Sequence, residues 1–443
     1  MKEQLPGAAQ PFPSGATARA FALAPSAPRT PVRRLCRVSE AERFRIADIL
    51  RIPEIRAAML GTFVIMLGYG ILSPVLPNYA KSFGVGYDAV GLLISSFSFA
   101  RLVADPFVGR YIDRYGERAM STLGAVWVGV SSFAAALAPT FPLLVLFRAL
   151  GGIGSALFFA SLLSFLLRSI PSRRTGRVMS VYYASFNIGF IAGGPLGGLM
   201  AKWFGLASPL YIYAGACFLS AVLFWRTIHD PERHESEVRR GGLRRLPWNR
   251  AFVTVLVVNG VYLWMIGAIF QTLVPLFGTS KDVGLTLEGV GLGLAIATAT
   301  ELAVLYPAGH ATDRQGRRAV LIPALAGLAL ITAAFGFVTT PVGFMIAMGI
   351  LGVASGYAGV PPAPMLSDVT PEELKGSAVA VFRFVGDLGF VIGPLVAGWS
   401  AQAFGFTTSF AINAVPAVVA LALVLSIRET MHRRRPSGDA PGL

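Results

Sequence analysis

Six ionisable residues interrupt stretches that are otherwise apolar: Arg101, Asp105, Arg148, Glu301, Arg383 and Asp387. A charge placed in hydrocarbon is costly and marks a path for an ion, a proton or a substrate. A carboxyl group there can take up and release protons as its access to water changes. Glu301 and Asp387 lie near the middle of their apolar runs and are the first candidates. Arg383 and Asp387 stand at i, i+4, where a local ion pair can form along one helix. Arg101 and Asp105 have the same spacing, and Asp105 is one turn from Gly109. Asp105 therefore reads as a partner of Arg101 or a support for the charged turn that follows.

Such residues need a scaffold that lives in lipid. The 443-residue chain is 54% hydrophobic and 14% charged, with mean hydropathy +0.63. Soluble domains carry about 25% charged residues. A helix crosses a bilayer with about 20 apolar residues. Twelve such runs occur, at 57–79, 88–109, 119–138, 142–167, 178–200, 208–226, 251–275, 287–308, 319–338, 342–363, 378–400 and 406–426. They group into an N-terminal half, 51–226, and a C-terminal half, 251–428. A charged linker, 227–250, joins the halves, and basic tails, 1–50 and 429–443, flank them. The first tail is rich in Pro, Ala and Arg without periodicity, and is expected to be disordered. With both ends on one side, only Lys81, Lys202 and Lys281 fall in loops of the other side. The excess of basic loop residues then places both termini in the cytoplasm. The net charge of +15 is thus mostly topology, and nucleic acid is not an expected partner. Cys36, Cys217 and the four histidines offer no disulfide framework and no metal-ligand spacing, so no metal or cofactor is expected.

One charged stretch is written twice. GRYIDRYGER at 109–118 and GHATDRQGRR at 309–318 share Gly, Asp-Arg, Gly and a final Arg exactly 200 positions apart. The same offset relates Asp88 to Glu288, Gly152 to Gly352, Ser155 to Ser355, Gly189-Phe190 to Gly389-Phe390, and Phe204-Gly205 to Phe404-Gly405. The expected fold class is all-α integral membrane, with two parallel six-helix halves related by a pseudo-two-fold axis. Substrate sites in that arrangement lie near the midplane, between the halves.

Residues 55–428 resemble the major facilitator superfamily. The two charged stretches are similar to its loop signature between helices 2 and 3 and its echo between helices 8 and 9. The second copy is complete, whereas the first has Glu117 where the family usually has Arg or Lys. The resemblance implies a latch between the halves at Gly109, Asp113, Arg114 and Gly116, and at Gly309, Asp313, Arg314 and Gly316. The glycines would supply close packing and backbone freedom. The Asp would accept from a neighbouring helix N-terminus, and the arginines would hold the loop at the membrane surface. A topology anchor alone is the plainer reading. LGYGILSPVLP at 67–77, with Pro74 and Pro77, resembles the helix 1 motif of twelve-helix drug:proton antiporters. RALGGIGSA at 148–156 resembles their helix 4 motif, with Gly151 where Gln is usual. GFIAGGPLGG at 189–198, with Gly194 and Pro195, resembles the helix 5 antiporter motif, although Leu199 replaces its last Gly. Gly393 and Pro394 are a further helix-bending pair. The helix 4 Arg of that group, here Arg148, is implied in proton coupling; the alternative is a static contact with backbone carbonyls.

The expected function is alternating-access secondary transport, most simply proton-coupled export of a small, partly hydrophobic compound from the cell membrane by a monomer. The alternatives are proton-coupled uptake of a metabolite and a non-transporting sensor or scaffold on the same fold. The chain has no H-E-x-x-H, no G-x-S-x-G and no P-loop, so neither an intramembrane enzyme nor direct ATP drive is indicated. Arg101 lies about 12 Å from Gly109, and Asp387 about 16 Å beyond Gly376, at 1.5 Å per helical residue. The resemblance implies that helix 2 packs on helix 11 and helix 8 on helix 5, and with that packing those depths allow an Arg101–Asp387 bridge between the halves. The pseudo-symmetric site would pair Glu301 with Asn187, without a positive charge, which makes Glu301 the expected proton carrier. Tyr69, Tyr182, Tyr183, Phe186, Tyr262, Trp264, Phe270, Gln271 and Tyr357 are candidates for the cavity wall or for ordinary packing.

Overall fold

The computed structural model describes residues 52–169, 175–230 and 245–430. The N-terminal tail, most of the linker and most of the C-terminal tail lie outside the described residues. The first half comprises α1 (Pro53–Leu72), α2 (Tyr87–Tyr115), α3 (Glu117–Ala136), α4 (Phe141–Arg168), α5 (Thr175–Phe204) and α6 (Ser208–Thr227). The second comprises α7 (Arg250–Gly278), α8 (Leu287–Gln315), α9 (Arg317–Phe335), α10 (Pro341–Val369), α11 (375–404) and α12 (406–426). The last two form one helical stretch broken at Gly405, whose φ of 78° no β-carbon-bearing residue adopts readily. Among the described residues there is no strand.

Prolines and glycines shape these helices. Pro74 lacks an amide hydrogen, so α1 stops at Leu72 and the chain resumes as a short helix, Leu76–Lys81, with Pro77 in its first turn. Pro195 and Pro394 lie inside α5 and α11. The middle of α7, Ile266–Leu273, winds as a π-helix, which no sequence pattern announces.

The expected spans of α2 and α8 stop too early. Both helices run through the charged stretch to Tyr115 and Gln315, and only Gly116 (φ 88°) and Gly316 (φ 110°) leave helical geometry. The polar residues at the end of each apolar run continue the helix, because its first and last turns can project beyond hydrocarbon. Gly116 and Gly316 need their backbone freedom. Gly109 and Gly309 do not fill the close-packing role expected of them, since nothing lies within 4 Å of where their β-carbons would be.

The halves meet through α2 on α11 and α5 on α8. A β-carbon on Gly91 would strike the Pro394 carbonyl, and one on Gly198 would strike the Glu288 backbone. Gly194 faces the Gly291 carbonyl in the same way. All these contacts lie at the end away from the charged turns, here the far end. Along α2 the interface face passes from buried Gly91, Ser95 and Ser98 through half-buried Arg101 and Asp105 to exposed Gly109. Along α11 it passes from buried Gly398, Pro394, Val391 and Asp387 to exposed Arg383 and Val379. The halves are therefore sealed at the far end and part towards the turn end.

Candidate functional site

Arg101 and Asp387 sit where the two faces part. Arg101 Nη2 donates to Asp387 Oδ1 at 2.9 Å, from the first half to the second. One level farther, Ser95 Oγ donates to the Val391 carbonyl at 2.6 Å. At the far end the Tyr87 amide donates to Gln402 Oε1 at 2.9 Å. The two local i, i+4 pairs considered from spacing, Arg101–Asp105 and Arg383–Asp387, are not formed among the described residues. Asp387 is only 8% exposed and faces α2 at the crossing, while Arg383 one turn on is already open to water. Asp105 remains within electrostatic range of Arg101, Arg383 and Asp387, so the four make one charge cluster at the apex.

Glu301 is held differently. Tyr262 of α7 donates its hydroxyl to Glu301 Oε1 at 2.8 Å. Ser355 of α10 lies beside the same carboxyl. Two α10 glycines make room: Gly356 lies against the Glu301 backbone and Gly359 against the Tyr262 ring. No Lys, Arg or His is within ion-pair distance of Glu301 among the described residues. The expected Asn187 partner is not there, because α5 and α8 separate beyond Gly194 and Gly291. Asn187 Nδ2 instead donates to the Tyr183 carbonyl, 2.8 Å away on its own helix.

Other candidates divide between wall and packing. Tyr69 donates to Gln271 Oε1 at 2.8 Å, joining α1 to the π-helical part of α7. Phe270, Trp264 and Tyr357 pack against the core of the second half. The Trp264 indole donates to Asn413 at 3.1 Å. Tyr182 is buried edge-on against Tyr183, 5.4 Å between centroids, and Tyr183 is exposed. Phe186 leans on Phe159 at 6.1 Å.

Arg148 is 3% exposed and makes no hydrogen bond or ion pair with any described residue. The contact with backbone carbonyls considered from sequence is not made. Its guanidinium lies over the Phe97 ring, 4.6 Å from the centroid, with Tyr69, Tyr213 and Cys217 in electrostatic range. Gly152, one turn along α4, allows this by bringing the helix onto the Phe97 and Arg101 backbone.

The repeated turn is a helix-end clamp. Asp230, just past α6, accepts from the Arg118 amide at 2.8 Å. Glu429, just past α12, accepts from the Arg317 and Arg318 amides at 3.0 Å each. These carboxylates, not Asp113 and Asp313 as expected, satisfy the free amides that begin α3 and α9. Arg118 Nε donates to the Trp225 carbonyl at 2.8 Å, and Arg318 Nε to that of Val424 at 3.2 Å. Asp113 pairs with Arg168 of α4 at 3.3 Å, and Asp313 with Arg317 at 2.9 Å. Neither Asp reaches across to the other half in this conformation. Arg114 lies beside the Tyr115 ring at 5.3 Å.

Two bundles of six helices, sealed at one end and bridged by an ion pair at the apex of an opening, match a known family. The Major Facilitator Superfamily profile matches residues 58–300 and 264–442. The chain belongs to the Major Facilitator Superfamily. It is 24% identical to an uncharacterized MFS-type transporter, MJ1560, of Methanocaldococcus jannaschii, over 81% of this chain and 94% of that protein. It is 27% identical to the quinolone resistance protein NorA of Staphylococcus aureus, over 52% of this chain and 61% of NorA. Multidrug resistance protein 1 of Bacillus subtilis is 25% identical over 82% of this chain and 93% of its own length. Among solved structures, a bacterial homologue of the human lysosomal transporter Spinster superposes with a TM-score of 0.74 at 15% identity, covering 84% of this chain and 95% of the other. The nucleoside transporter NupG gives 0.69 at 16% identity, covering 84% and 98%. These likenesses carry the superfamily fold.

Within the superfamily frame, the sequence does not announce Tyr262 as the partner of Glu301 or Ser355 beside it, nor Asp230, Glu429, Arg168 and Asp368 around the turns. The offset of 200 was a signal for some of them: Arg168 answers to Asp368, and Ser155 to Ser355.

Proposed function

We propose that this superfamily member is a plasma-membrane transporter that exports a small, partly hydrophobic compound in exchange for protons. The observation that carries the proposal is the Arg101–Asp387 bridge at the point where the halves part, with Glu301 held separately by the Tyr262 hydroxyl. A carboxyl held by a hydroxyl rather than a guanidinium keeps its hydrogen bond in either protonation state. It is suited to carry a proton while the ion pair balances charge in the moving interface. The basic loops put the turn end in the cytoplasm, so the conformation described is open inward. The outer seal then consists of Lys202–Glu288 (3.3 Å), Gln402 on the Tyr87 amide, and Thr279 donating to Asn78 at 3.0 Å. In the outward-open state these contacts separate and the turns, with Asp113, close the inner side. Efflux is supported by the names of NorA and Multidrug resistance protein 1.

Flux in reconstituted vesicles tests the proposal. With a panel of lipophilic dyes and quinolones, acid-inside vesicles should accumulate a substrate, and an uncoupler should abolish the accumulation. Accumulation only in acid-outside vesicles would mean symport. No movement under either gradient would mean a sensor or scaffold. A cysteine beside Lys281 should react with an impermeant reagent outside whole cells, and one at Trp248 should not.

A further inference from the structure

Arg148 is the buried charge that this mechanism leaves unused. Taking a guanidinium out of water is costly unless acceptors replace the lost hydration. Here Nε is fully enclosed without a partner, and the ring face of Phe97 supplies only a cation–π contact. The fold does not require a charge at this place. The second half has Met348 at the equivalent position, fully buried in its core, and Ala297 where the first half has Phe97. One half has thus filled the layer with apolar side chains, while the other keeps a guanidinium there with its hydrogen-bonding capacity unmet.

Position relates this layer to the central opening. Gly152 packs on the Arg101 backbone, and Arg148 is one helical turn beyond it towards the far end, about 6 Å at 1.5 Å per residue. Tyr69 stands in the electrostatic range of both Arg148 and Arg101, and its hydroxyl binds Gln271 of the other half. Tyr69 also stacks near Phe190 and Tyr213, with centroids 5.9 and 6.0 Å away. A guanidinium without an anion, at the head of an aromatic wall that touches both halves, is a receptor for one chemistry.

We propose that Arg148 binds the carboxylate of an aromatic or otherwise apolar organic acid, the aromatic side chains taking its body. The planar fork of guanidinium donors matches a carboxylate in a bidentate pair, and apolar walls with one fixed polar anchor are typical of small-molecule sites. The substrate class thus narrows to compounds with an anionic end. This rests on the transport reading for its biological sense, but not for its measurement.

The probe is radiolabelled benzoate against benzamide, its neutral near-isostere, in equilibrium dialysis with the purified full chain in detergent. Wild type should hold benzoate about tenfold more tightly than benzamide, the usual range for a hydrogen-bonded charge pair. Arg148→Met, which copies the side chain of the other half, should bring the two affinities within about twofold of each other. Should that variant not fold, Arg148→Lys serves instead: its point charge cannot form the bidentate pair, and the preference should fall by more than half. Equal binding of the two probes to wild type overturns the proposal, as does an undiminished benzoate preference in either variant. A chain that binds benzoate through Arg148 yet moves nothing in vesicles overturns the transport reading and leaves this one standing.

Discussion

Glu117 at the start of α3 and Arg168 at the end of α4 form an ion pair of 3.0 Å, and their counterparts 200 residues on carry exchanged charges, Arg317 and Asp368, 3.2 Å apart. The departure of Glu117 from the superfamily pattern is therefore compensated on the neighbouring helix. Glu117 is 2% exposed and also accepts from Ser164 at 3.0 Å, so it is fully engaged. Glu117→Arg alone should set two guanidiniums together and destabilise the chain by about 2–3 kcal/mol. Glu117→Arg with Arg168→Asp recreates the arrangement of the second half and should recover most of that loss. Thermal unfolding in detergent, run as a double-mutant cycle, measures the coupling.

Asp113 and Asp313 look alike in sequence but are tied differently. The partner of Asp113 comes from another helix, whereas that of Asp313 is four residues away on its own turn. Both side chains are well exposed, so neither pair contributes more than about 1 kcal/mol to stability. Asp113→Asn should slow transport more than Asp313→Asn, with both variants unfolding near the wild-type temperature. Equal flux from Asp113→Asn and wild type, at matched expression, removes the latch role.

The Arg101–Asp387 bridge crosses the halves. Asp387→Asn and Arg101→Gln should each lose transport. Exchanging the pair, as Arg101→Asp with Asp387→Arg, should restore part of it if charge balance at the apex is what matters. No gain in flux over the single variants would show that the residues act separately.

Glu301→Gln keeps the size of the side chain and an acceptor for Tyr262, but carries no exchangeable carboxyl proton. Uphill accumulation driven by a pH gradient should vanish, while substrate exchange without a gradient persists. Tyr262→Phe removes the hydroxyl partner and should weaken coupling without abolishing exchange. If Glu301→Gln still concentrates substrate with normal proton coupling, Asp387 is the next candidate.

The sequence by itself determined the twelve spans and the two-half architecture, because hydrocarbon demands long apolar runs and the 200-residue offset records the repeat. It also placed Arg101 and Asp387 at compatible depths, since helical rise converts residue counts into distance. Only the tertiary structure decided which neighbours meet. Asp387 chose Arg101 over Arg383 because α2 and α11 cross at that level and diverge one turn later. Glu301 found Tyr262 rather than Asn187 because the halves are already apart at its depth, a fact of conformation that no spacing encodes. The caps at Asp230 and Glu429 come from helix ends over 100 residues away from the turns they bind, and Arg148 is left without an acceptor by the packing of Phe97 around it. Partner choice across helices follows crossing angles and the state of the opening, and those arise only when the whole chain is assembled.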